Sequence, residues 1–596
     1  MPDPTETTHP DQVLAPHATE PFGRRRFIQG VGAVAGAGVL TSVIPDGLAH
    51  AAVPAGASQF KPLPTAIRIA DTRDPSLAPY NQITPTRIRV KVAGRNGVPS
   101  NASAAVLTVT AVNHSQPNFV TVYPTGQSLP LVSNLNMMPG DVNANLATVK
   151  VGNNGHVDFY TLAASEVIVD VLGYYEPVDS AVREGRFVGL ATAQRAIDTR
   201  PNLVGARSFT VVDVTAWVPA EASSVVINLT ATETTGPGFF TALPYSVTTE
   251  PKTSSLNVTR AWDTRAAGVI VPVETVGGRR RIKVFTLTPA KIIVDIAGYF
   301  TGSTSSLSSV GLYVPLEPDR LLDTRDPGEI GRLWPNWVVE GKLPAAAAAN
   351  ASAIVANLTC VNSRGPGFLT ISAARLPIPP TSNVNVSAPG AVVPNHVITP
   401  VTSQHGFQVL SSHGAHVIVD LAGYFTGSPK IPQLAQYQNP PPPAAPPEWV
   451  LKVPKIGLTS QVKTGSATAI TNSGHSWHWA GTGFMGQEAH VSLFAHRTDA
   501  GGPYRYVHWL GPGDTWTVTT GDGREYTYRY VRRDLTNSNN SNILQATRNH
   551  PGTTLSLIAC TVGYDRTKSA YPDAWAPTSL KYRIIVTGEL VSWREL

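Results

Sequence analysis

Three internal repeats occupy most of this 596-residue chain and limit what it can fold into. Each copy opens with an Arg-x-x-Asp-Thr-Arg motif, at residues 68–73, 195–200 and 320–325. Each copy closes with Val/Ile-Ile-Val-Asp-x-x-Gly-Tyr, at residues 167–174, 292–299 and 417–424. The opening and closing aspartates are 99, 97 and 97 residues apart. A unit of this length is long enough to fold alone, unlike a short solenoid repeat.

The composition of the repeats indicates β-structure. Only 14% of the residues are charged, while the chain contains 50 glycines and 51 prolines. Short β-branched runs alternate with Gly, Pro, Asn and Asp, a pattern typical of a β-sandwich or barrel. The predicted fold class is therefore all-β, with three tandem sandwich-like or barrel-like repeats at residues 60–178, 186–302 and 311–427.

The recurring Asp and Arg residues indicate either a glycan or metal site or a structural ion pair. The closing aspartates lie within apolar strand sequence, where a buried carboxylate needs a partner. We predict that the arginine of Asp-Thr-Arg is that partner, in a bidentate ion pair. Cys360 stands where the other copies have Ala111 and Ala231. This position predicts a small, buried core residue.

Residues 1–51 have the features of an export signal. Three arginines at 24–26 precede a short Gly- and Ala-rich apolar run, and Ala-His-Ala at 49–51 offers a cleavage site. Arg-Arg-x-Phe-Ile at 24–28 resembles a twin-arginine motif, and a general secretory signal is the alternative. We expect an exported protein, extracellular or at the cell surface. An uncleaved signal would tether it to the membrane.

A Pro-rich linker at residues 428–447 separates the repeats from a different C-terminal domain at 448–596. The prolines at 440–447 favour a polyproline conformation, a semi-rigid spacer of roughly 25 Å. The C-terminal domain contains a hairpin pattern, with alternating runs at 514–520 and 524–530. Because closure removes free strand edges, we predict a closed β-barrel here.

Three residues with reactive or charged side chains stand at the ends of predicted strands in this domain. They are His496, Cys560 and Arg583. A thiol in an exported domain is a liability unless it is used, so Cys560 is a candidate nucleophile, and a buried strand cysteine is the alternative. The net charge of +6 is too dilute to indicate nucleic-acid binding, and no cofactor or metal is indicated.

The same segments carry the motifs of a known family. Ala-His-Arg at 495–497, Thr-Leu-Ser-Leu-Ile-Ala-Cys at 554–560 and Arg583 before Ile-Ile-Val resemble, in order and spacing, those of sortases, the cysteine transpeptidases of Gram-positive cell surfaces. The resemblance implies a closed barrel, with Cys560 as nucleophile, His496 as general acid and base, and Arg583 as transition-state stabiliser. It covers a quarter of the chain. The repeats more loosely resemble secreted surface proteins of actinobacteria.

Two departures from the sortase pattern concern the substrate. Ala559 precedes the cysteine where the common pattern has Thr, which removes a hydroxyl expected near the substrate. Residues 564–577 form an insertion beside the expected groove, and Arg566 within it is an alternative to Arg583. Trp477 and Trp479 either line a groove or belong to the core.

The leading hypothesis is an exported, sortase-like cysteine transpeptidase. It would cleave a sorting-signal peptide bond through a cysteine thioester and transfer the acyl group to a cell-envelope amine, or to water. The expected partners are secreted proteins with a C-terminal sorting signal and an amine of peptidoglycan or a pilin, without a cofactor. The alternative is a surface adhesion or binding protein. Its repeats would contact envelope glycan or protein beside an inactive sortase-like domain.

Overall fold

The structure of the protein is a computed structural model with two compact units, one ending at Gln438 and the other beginning at Asn439. Both consist almost entirely of β-strands, which confirms the predicted all-β class. The expected signal at 1–51 and most of the proline run at 440–447 lie outside the described residues. The described residues are 53–74, 76, 80–326, 329–439, 441, 448–480, 482–486, 490–497, 499–537, 543, 554–561 and 582–596.

Each repeat is a sandwich of two antiparallel sheets. The strands of the first repeat are β1 (Ser58–Asp71), β2 (Tyr80–Thr84), β3 (Arg87–Lys91), β4 (Ala104–Val112), β5 (Asn118–Pro124), β6 (Leu135–Met137), β7 (Asn143–Lys150), β8 (His156–Thr161) and β9 (Glu166–Pro177). One sheet has the strand order β1-β9-β4-β7, and the facing sheet has the order β2-β3-β8-β5-β6.

The second and third repeats have the same architecture. The strands of the second repeat are β10 (Phe187–Asp198), β11 (Ser208–Asp213), β12 (Ala222–Thr232), β13 (Gly238–Pro244), β14 (Leu256–Val258), β15 (Arg265–Pro272), β16 (Glu274–Val276), β17 (Arg279–Thr286) and β18 (Lys291–Thr301). Those of the third are β19 (Tyr313–Asp323), β20 (Trp337–Gly341), β21 (Ala351–Val361), β22 (Gly367–Ala373), β23 (Val384–Val386), β24 (Val392–Pro400), β25 (Phe407–Ser411) and β26 (His416–Thr426). A short helix, α1 (Ala345–Ala348), precedes β21.

A central strand of one sheet in each repeat is buried on both faces and carries no charged residue. Every residue of β4 is buried. Leu107 and Val109 pack inside the sandwich, whereas Val106, on the opposite face, packs in a second cluster together with Val226 of β12 and Val355 of β21. Because successive side chains of a strand point to opposite faces, a strand covered on both sides lacks the alternation of apolar and charged residues seen in a half-exposed strand.

The second cluster joins the three repeats into one unit. Its aromatic members pair across repeat boundaries: the ring centroids are 4.4 Å apart for Phe60 and Phe300, and 4.6 Å apart for Phe187 and Phe425. Tyr175 and Tyr313 are 4.2 Å apart and complete the set. The repeats therefore share a core in addition to the three sandwich interiors, which repeat length alone did not indicate.

The closing aspartates form the expected ion pairs, but with a different arginine, and the pair is bidentate for Asp170 and Asp295, whereas Asp420 accepts from Arg320 through Oδ1 alone. Arg68 donates to Asp170, with 2.9 Å between Nε and Oδ1, and the corresponding pairs of the other repeats have the same distance. The prediction that the arginine of Asp-Thr-Arg is the partner is wrong, because Arg73 lies beyond the end of β1 and bonds Asp71 instead. Arg68 lies directly opposite Asp170 in the register of β1 and β9.

The second unit is a closed barrel, as predicted. Its strands are β27 (Trp449–Val453), β28 (Leu458–Lys463), β29 (Ser476–His478), β30 (His490–Phe494), β31 (Thr515–Thr519), β32 (Arg524–Asn537), β33 (Thr554–Thr561) and β34 (Tyr582–Glu595). They close in the order β27-β28-β29-β30-β33-β34-β32-β31. The helix α2 (Ala467–Asn472) lies between β28 and β29. Over the described residues, no helix combines the length and apolar character that crossing a membrane requires.

Candidate active site

Strand pairing brings the three predicted site residues to one level of the barrel. β33 lies between β30 and β34, and Cys560 is directly opposite Arg583 in the antiparallel pair. In the parallel pair, Phe494 is opposite Ile558. His496 follows Phe494 by two residues, and Cys560 follows Ile558 by two residues. His496 and Cys560 therefore lie at the same level, Cys560 on β33 and His496 just beyond the end of the neighbouring β30.

The alternation of side chains places all three residues on the outer face of the barrel. Leu557, Ala559 and Ile584 pack inside the barrel. Ile558 and Ile585 pack in a separate cluster on the other face. Cys560 and Arg583 each lie two residues from one of these isoleucines, and therefore share their face. Side chains directly opposite each other on one face have Cβ atoms about 4.5–5.5 Å apart.

Cys560 is accessible to solvent. It is partly exposed and is not part of a disulfide bond. His496 and Arg583 are also partly buried and partly exposed. Ala559 packs in the barrel core, so the prediction that this departure removes a hydroxyl near the substrate is wrong: alternation turns the residue before Cys560 inward.

Asn472 holds the imidazole of His496. The Nε2 atom of His496 lies 2.8 Å from Oδ1 of Asn472, the last residue of α2. Because an amide oxygen only accepts hydrogen bonds, Nε2 carries the proton, and Nδ1 is the ring nitrogen that can accept a further proton. Sequence analysis missed Asn472, which lies 24 residues before His496 and belongs to no motif of its own.

The arginine that follows His496 fixes the chain behind it. Arg497 is buried, and its guanidinium bonds His508 Nδ1 at 3.3 Å and the carbonyl of Arg505 at 3.4 Å. The backbone of His496 also accepts a hydrogen bond from the amide of Tyr504 at 3.0 Å. Arg497 therefore anchors the segment that carries the imidazole.

A buried apolar cluster lies beside the three residues on the outer side of the barrel wall, and we call it the outer apolar cluster. Its members pack on the outside of the barrel: Ile543, Ile558, Ile585, Trp479 and Phe494. The Trp479 ring meets Phe494 edge-on with 5.6 Å between centroids, and Trp477 lies 5.4 Å from the same ring. Both tryptophans are half-buried and neither belongs to the barrel core. Of the two alternatives, core or groove, the structure therefore excludes the barrel core.

Some predicted features of the site lie outside the described residues. These are the insertion at 564–577 and Arg566 within it. Among the residues that the structure does describe, no group of three or more His, Cys, Asp or Glu side chains is placed to hold a metal ion. The described part of the site thus offers a thiol, an imidazole with a fixed donor nitrogen and a guanidinium. These are the groups that acyl transfer through a cysteine requires.

Comparisons with solved structures return sortases for the barrel. Sortase E1 from Streptomyces coelicolor, solved with a tripeptide in its active site, is 25% identical, and the match covers 25% of this chain and 91% of that one with a TM-score of 0.22. SrtA sortase from Actinomyces oris is 16% identical over 27% of this chain and 91% of its own, with a TM-score of 0.22. Sortase A from Listeria monocytogenes is 19% identical over 25% of this chain and 90% of its own, with a TM-score of 0.20. No curated protein matches the chain.

The described residues form a closed β-barrel that carries a thiol, an imidazole and a guanidinium on its outer face. The family model of the Sortase domain matches residues 451–591. The chain therefore carries a sortase domain in its C-terminal quarter, and the resemblance seen in the motifs is confirmed.

Proposed function

We propose that this protein is a sortase-type transpeptidase that uses Cys560 as its nucleophile. The observation that carries the proposal is the register of three strands, which sets Cys560 opposite Arg583 and level with His496 on one accessible face. The match of residues 451–591 to the Sortase domain supports the reaction class.

In the first half of the reaction, the Cys560 thiolate attacks the carbonyl carbon of a sorting-signal peptide bond. The carbonyl oxygen becomes an oxyanion, and the Arg583 guanidinium stabilises its charge because arginine keeps its own charge throughout. When the C–N bond breaks, the imidazolium of His496 gives a proton to the leaving amine. The product is a thioester on Cys560 and a free peptide fragment.

In the second half, an amine attacks the thioester. Neutral His496 removes the proton from the attacking nitrogen, and the thiolate leaves as the new amide bond forms. Water in place of the amine gives hydrolysis. Because Asn472 accepts from Nε2, Nδ1 is the nitrogen that gains and loses the proton in both halves.

The proposed partners follow from the reaction class. The acyl donor is a secreted protein with a C-terminal sorting signal, and the acceptor is an envelope amine of peptidoglycan or a pilin subunit. We place the reaction outside the cell, because the twin-arginine-like sequence at 24–28 has the features of an export signal. The repeats would then accompany the enzyme to the envelope.

Mass spectrometry of the full chain, incubated with a library of sorting-signal peptides and an amine, tests the proposal. We expect peptide fragments joined to the amine and a protein adduct of acyl mass at Cys560. The matched control is Cys360→Ala, which removes the other cysteine and leaves the reaction intact. If no peptide forms an adduct at Cys560, the transpeptidase proposal fails, and the surface-binding alternative takes its place.

A further inference from the structure

One loop of the second repeat departs from the equivalent loops of the other two. It follows β14 and leads into β15, as the other two follow β6 and β23. The three sequences are Met-Pro-Gly at 138–140, Arg-Ala-Trp at 260–262 and Ala-Pro-Gly at 388–390. The amides of Gly140, Trp262 and Gly390 bond the carbonyls of His114, Thr234 and Ser363, the second residue after β4, β12 and β21 in turn. The three positions are therefore structurally equivalent.

Trp262 occupies a backbone position suited to glycine. Its φ angle is +63°, and those of Gly140 and Gly390 are +80° and +72°. A side chain in this left-handed region is strained, and bulky residues are rare there. A Cβ at Gly140 or Gly390 would meet no atom within 4 Å, so the turn selects glycine for backbone conformation and not for lack of space.

Most of the indole of Trp262 lies in solvent, so packing does little to offset this strain. Trp262 is 75% exposed, and no ring contact of its indole is found within the described residues. Strained backbone conformations cluster at functional sites and ligand clamps, where the side chain that they support makes a contact outside the protein.

Arg260 of this loop and Arg265, the first residue of β15, line a cavity between the three repeats. Arg260 and Arg265 contribute to a space of about 320 Å³ whose other walls come from the first and third repeats, including their equivalent loops. The guanidinium of Arg260 has no hydrogen bond or ion pair among the described residues. Arg265 has a single ion pair, with Asp263 at 3.5 Å. The other repeats carry no cation at either position: Met138 and Ala388 replace Arg260, and Asn143 and Val393 replace Arg265.

The remaining walls are mainly apolar. Met137, Val392 and Pro389 line the cavity. The carboxylate of Asp141 also faces it, but accepts hydrogen bonds from the amide of Met138 at 3.1 Å and the hydroxyl of Thr259 at 3.4 Å. The cavity therefore offers the Arg260 guanidinium, which has no partner among the described residues, and the Arg265 guanidinium, which has one long ion pair. The exposed Trp262 lies between the two arginines in sequence.

We propose that this loop and cavity bind an acidic saccharide, a sugar chain that bears carboxylates. The guanidinium groups pair with carboxylate in planar geometry, and the apolar walls accept the C–H faces of a sugar ring. The indole of Trp262 supplies a flat aromatic face for a second ring. The volume falls at the lower end of the range for small-molecule sites, which suits one or two sugar residues. This activity is independent of the transpeptidase reaction.

Calorimetric titration of the full chain tests the proposal with three kinds of probe. They are a panel of uronic-acid and N-acetylmuramic-acid oligosaccharides, a neutral maltooligosaccharide, and tetraglutamate as an acidic compound that is not a sugar. We expect binding of at least one acidic saccharide, weakened by added salt, and much weaker binding of the other two probes. If every acidic saccharide fails to bind, or if tetraglutamate or the neutral sugar binds as tightly, the proposal is wrong.

Variants of the loop separate contact from folding. Trp262→Gly restores the residue of the other repeats, so the turn remains intact while the affinity falls roughly tenfold or more. Trp262→Phe keeps an aromatic face and retains most of the affinity. Arg260→Ala weakens binding and reduces its salt dependence, whereas Arg207→Ala, an exposed arginine that pairs with Glu250 outside the cavity, leaves both unchanged. Unchanged affinity in Trp262→Gly overturns the proposal.

Discussion

Cys360 and Cys560 are each the last residue but one of a strand that lies between two other strands, yet their surroundings differ. Cys360 in β21 has Val393 and Val417 as its cross-strand neighbours and packs in the interior of the third sandwich. Cys560 in β33 is opposite Arg583 and partly exposed. Burial raises the pKa of the Cys360 thiol to about 12, so it stays protonated at neutral pH.

The difference shows that packing against the faces of a strand, and not the position of the strand in the sheet, decides whether a cysteine thiol is accessible and can ionise. Both faces of β21 are covered, by its own sandwich and by the other repeats. On β33, the inner face packs in the barrel, and the outer face carries the outer apolar cluster and ends at Cys560. The repeats use charged groups for internal ion pairs, whereas the barrel leaves its thiol partly exposed to solvent.

The strongest test of this comparison is the exchange of each cysteine for alanine. Cys560→Ala is expected to reduce transpeptidation by about 10⁴-fold or more, because no other group can form the thioester. Cys360→Ala reproduces Ala111 and Ala231 of the other repeats and is expected to keep full activity. Turnover with peptide and amine measures both effects.

A thiol reagent provides the corresponding chemical test. Iodoacetamide at neutral pH is expected to label Cys560 in the folded protein and to leave Cys360 unlabelled until the chain unfolds. Peptide mapping after labelling identifies the modified residue. Equal labelling of both cysteines in the folded protein would contradict the comparison.

The second test concerns the group opposite the thiol. Arg583→Ala is expected to lower kcat by about 10²–10³-fold, the usual cost of losing one oxyanion donor. Arg594→Ala is the matched control, because Arg594 lies on the same strand but is exposed and pairs with Glu525. A comparable loss of kcat in Arg594→Ala would mean that removal of any positive charge from β34 lowers activity, and the specific role of Arg583 would be contradicted.

The third test concerns a buried histidine of the repeats. Burial lowers the pKa of His396 to about 3, and its neighbours Thr148 and Asn145 do not titrate. Between pH 6.5 and about 3, only the unfolded state binds the proton, so stability falls as the pH falls. From pH 7 to pH 5 the expected loss is about 2 kcal/mol.

Denaturant unfolding of the full chain at the two pH values measures this loss. His396→Gln keeps a hydrogen-bonding group beside Thr148 and removes the titration, so its stability should depend less on pH. The same pH dependence in both proteins would show that the loss arises elsewhere. In that case burial would not control the protonation of His396 as it controls the protonation of the Cys360 thiol.

The sequence predicted the features that depend on local pattern or on comparison between repeats. Alternation and turn residues predicted the sandwiches and the barrel, and the alignment of Cys360 with two alanines predicted its burial. The shared core was not predicted, because the apolar faces of β4, β12 and β21 do not identify what covers them. The arginine partner of Asp170 was wrong, because the choice between Arg68 and Arg73 depends on register and on where β1 ends.

At the site, the sequence motifs identified Cys560, His496 and Arg583, and the strand register places these residues side by side. Their catalytic roles stay predictions. The effect assigned to Ala559 was wrong, because a one-residue step along a strand reverses the face. Asn472 was missed for a different reason. It is a polar residue at the end of a short helix, and only the fold brings it beside His496.

The fourth test asks whether Asn472 positions the imidazole. Asn472→Ala is expected to lower kcat/KM about tenfold, in line with about 1.5 kcal/mol for a hydrogen bond to a charged group. Asn472→Gln, which keeps the amide, should recover part of the activity. The ¹⁵N spectrum of the imidazole gives a readout that a merely structural role would not change. We expect the Nε2–H form in the wild type and mixed forms in Asn472→Ala.

The smallest expected effect concerns Trp262, an exposed residue of the otherwise well-packed second repeat. Trp262→Gly is expected to raise the free energy of unfolding by about 1 kcal/mol, because it removes a side chain from the left-handed region. Gly140→Ala should lower it by a similar amount, since the same turn then carries the strain in the first repeat. Thermal unfolding of both variants measures the pair. A gain in stability together with a loss of saccharide affinity in Trp262→Gly would show that the strain is maintained for binding, as stability is often reduced at functional sites. No gain in stability would mean that the second repeat accommodates Trp262 without strain, and the argument from backbone conformation would fail.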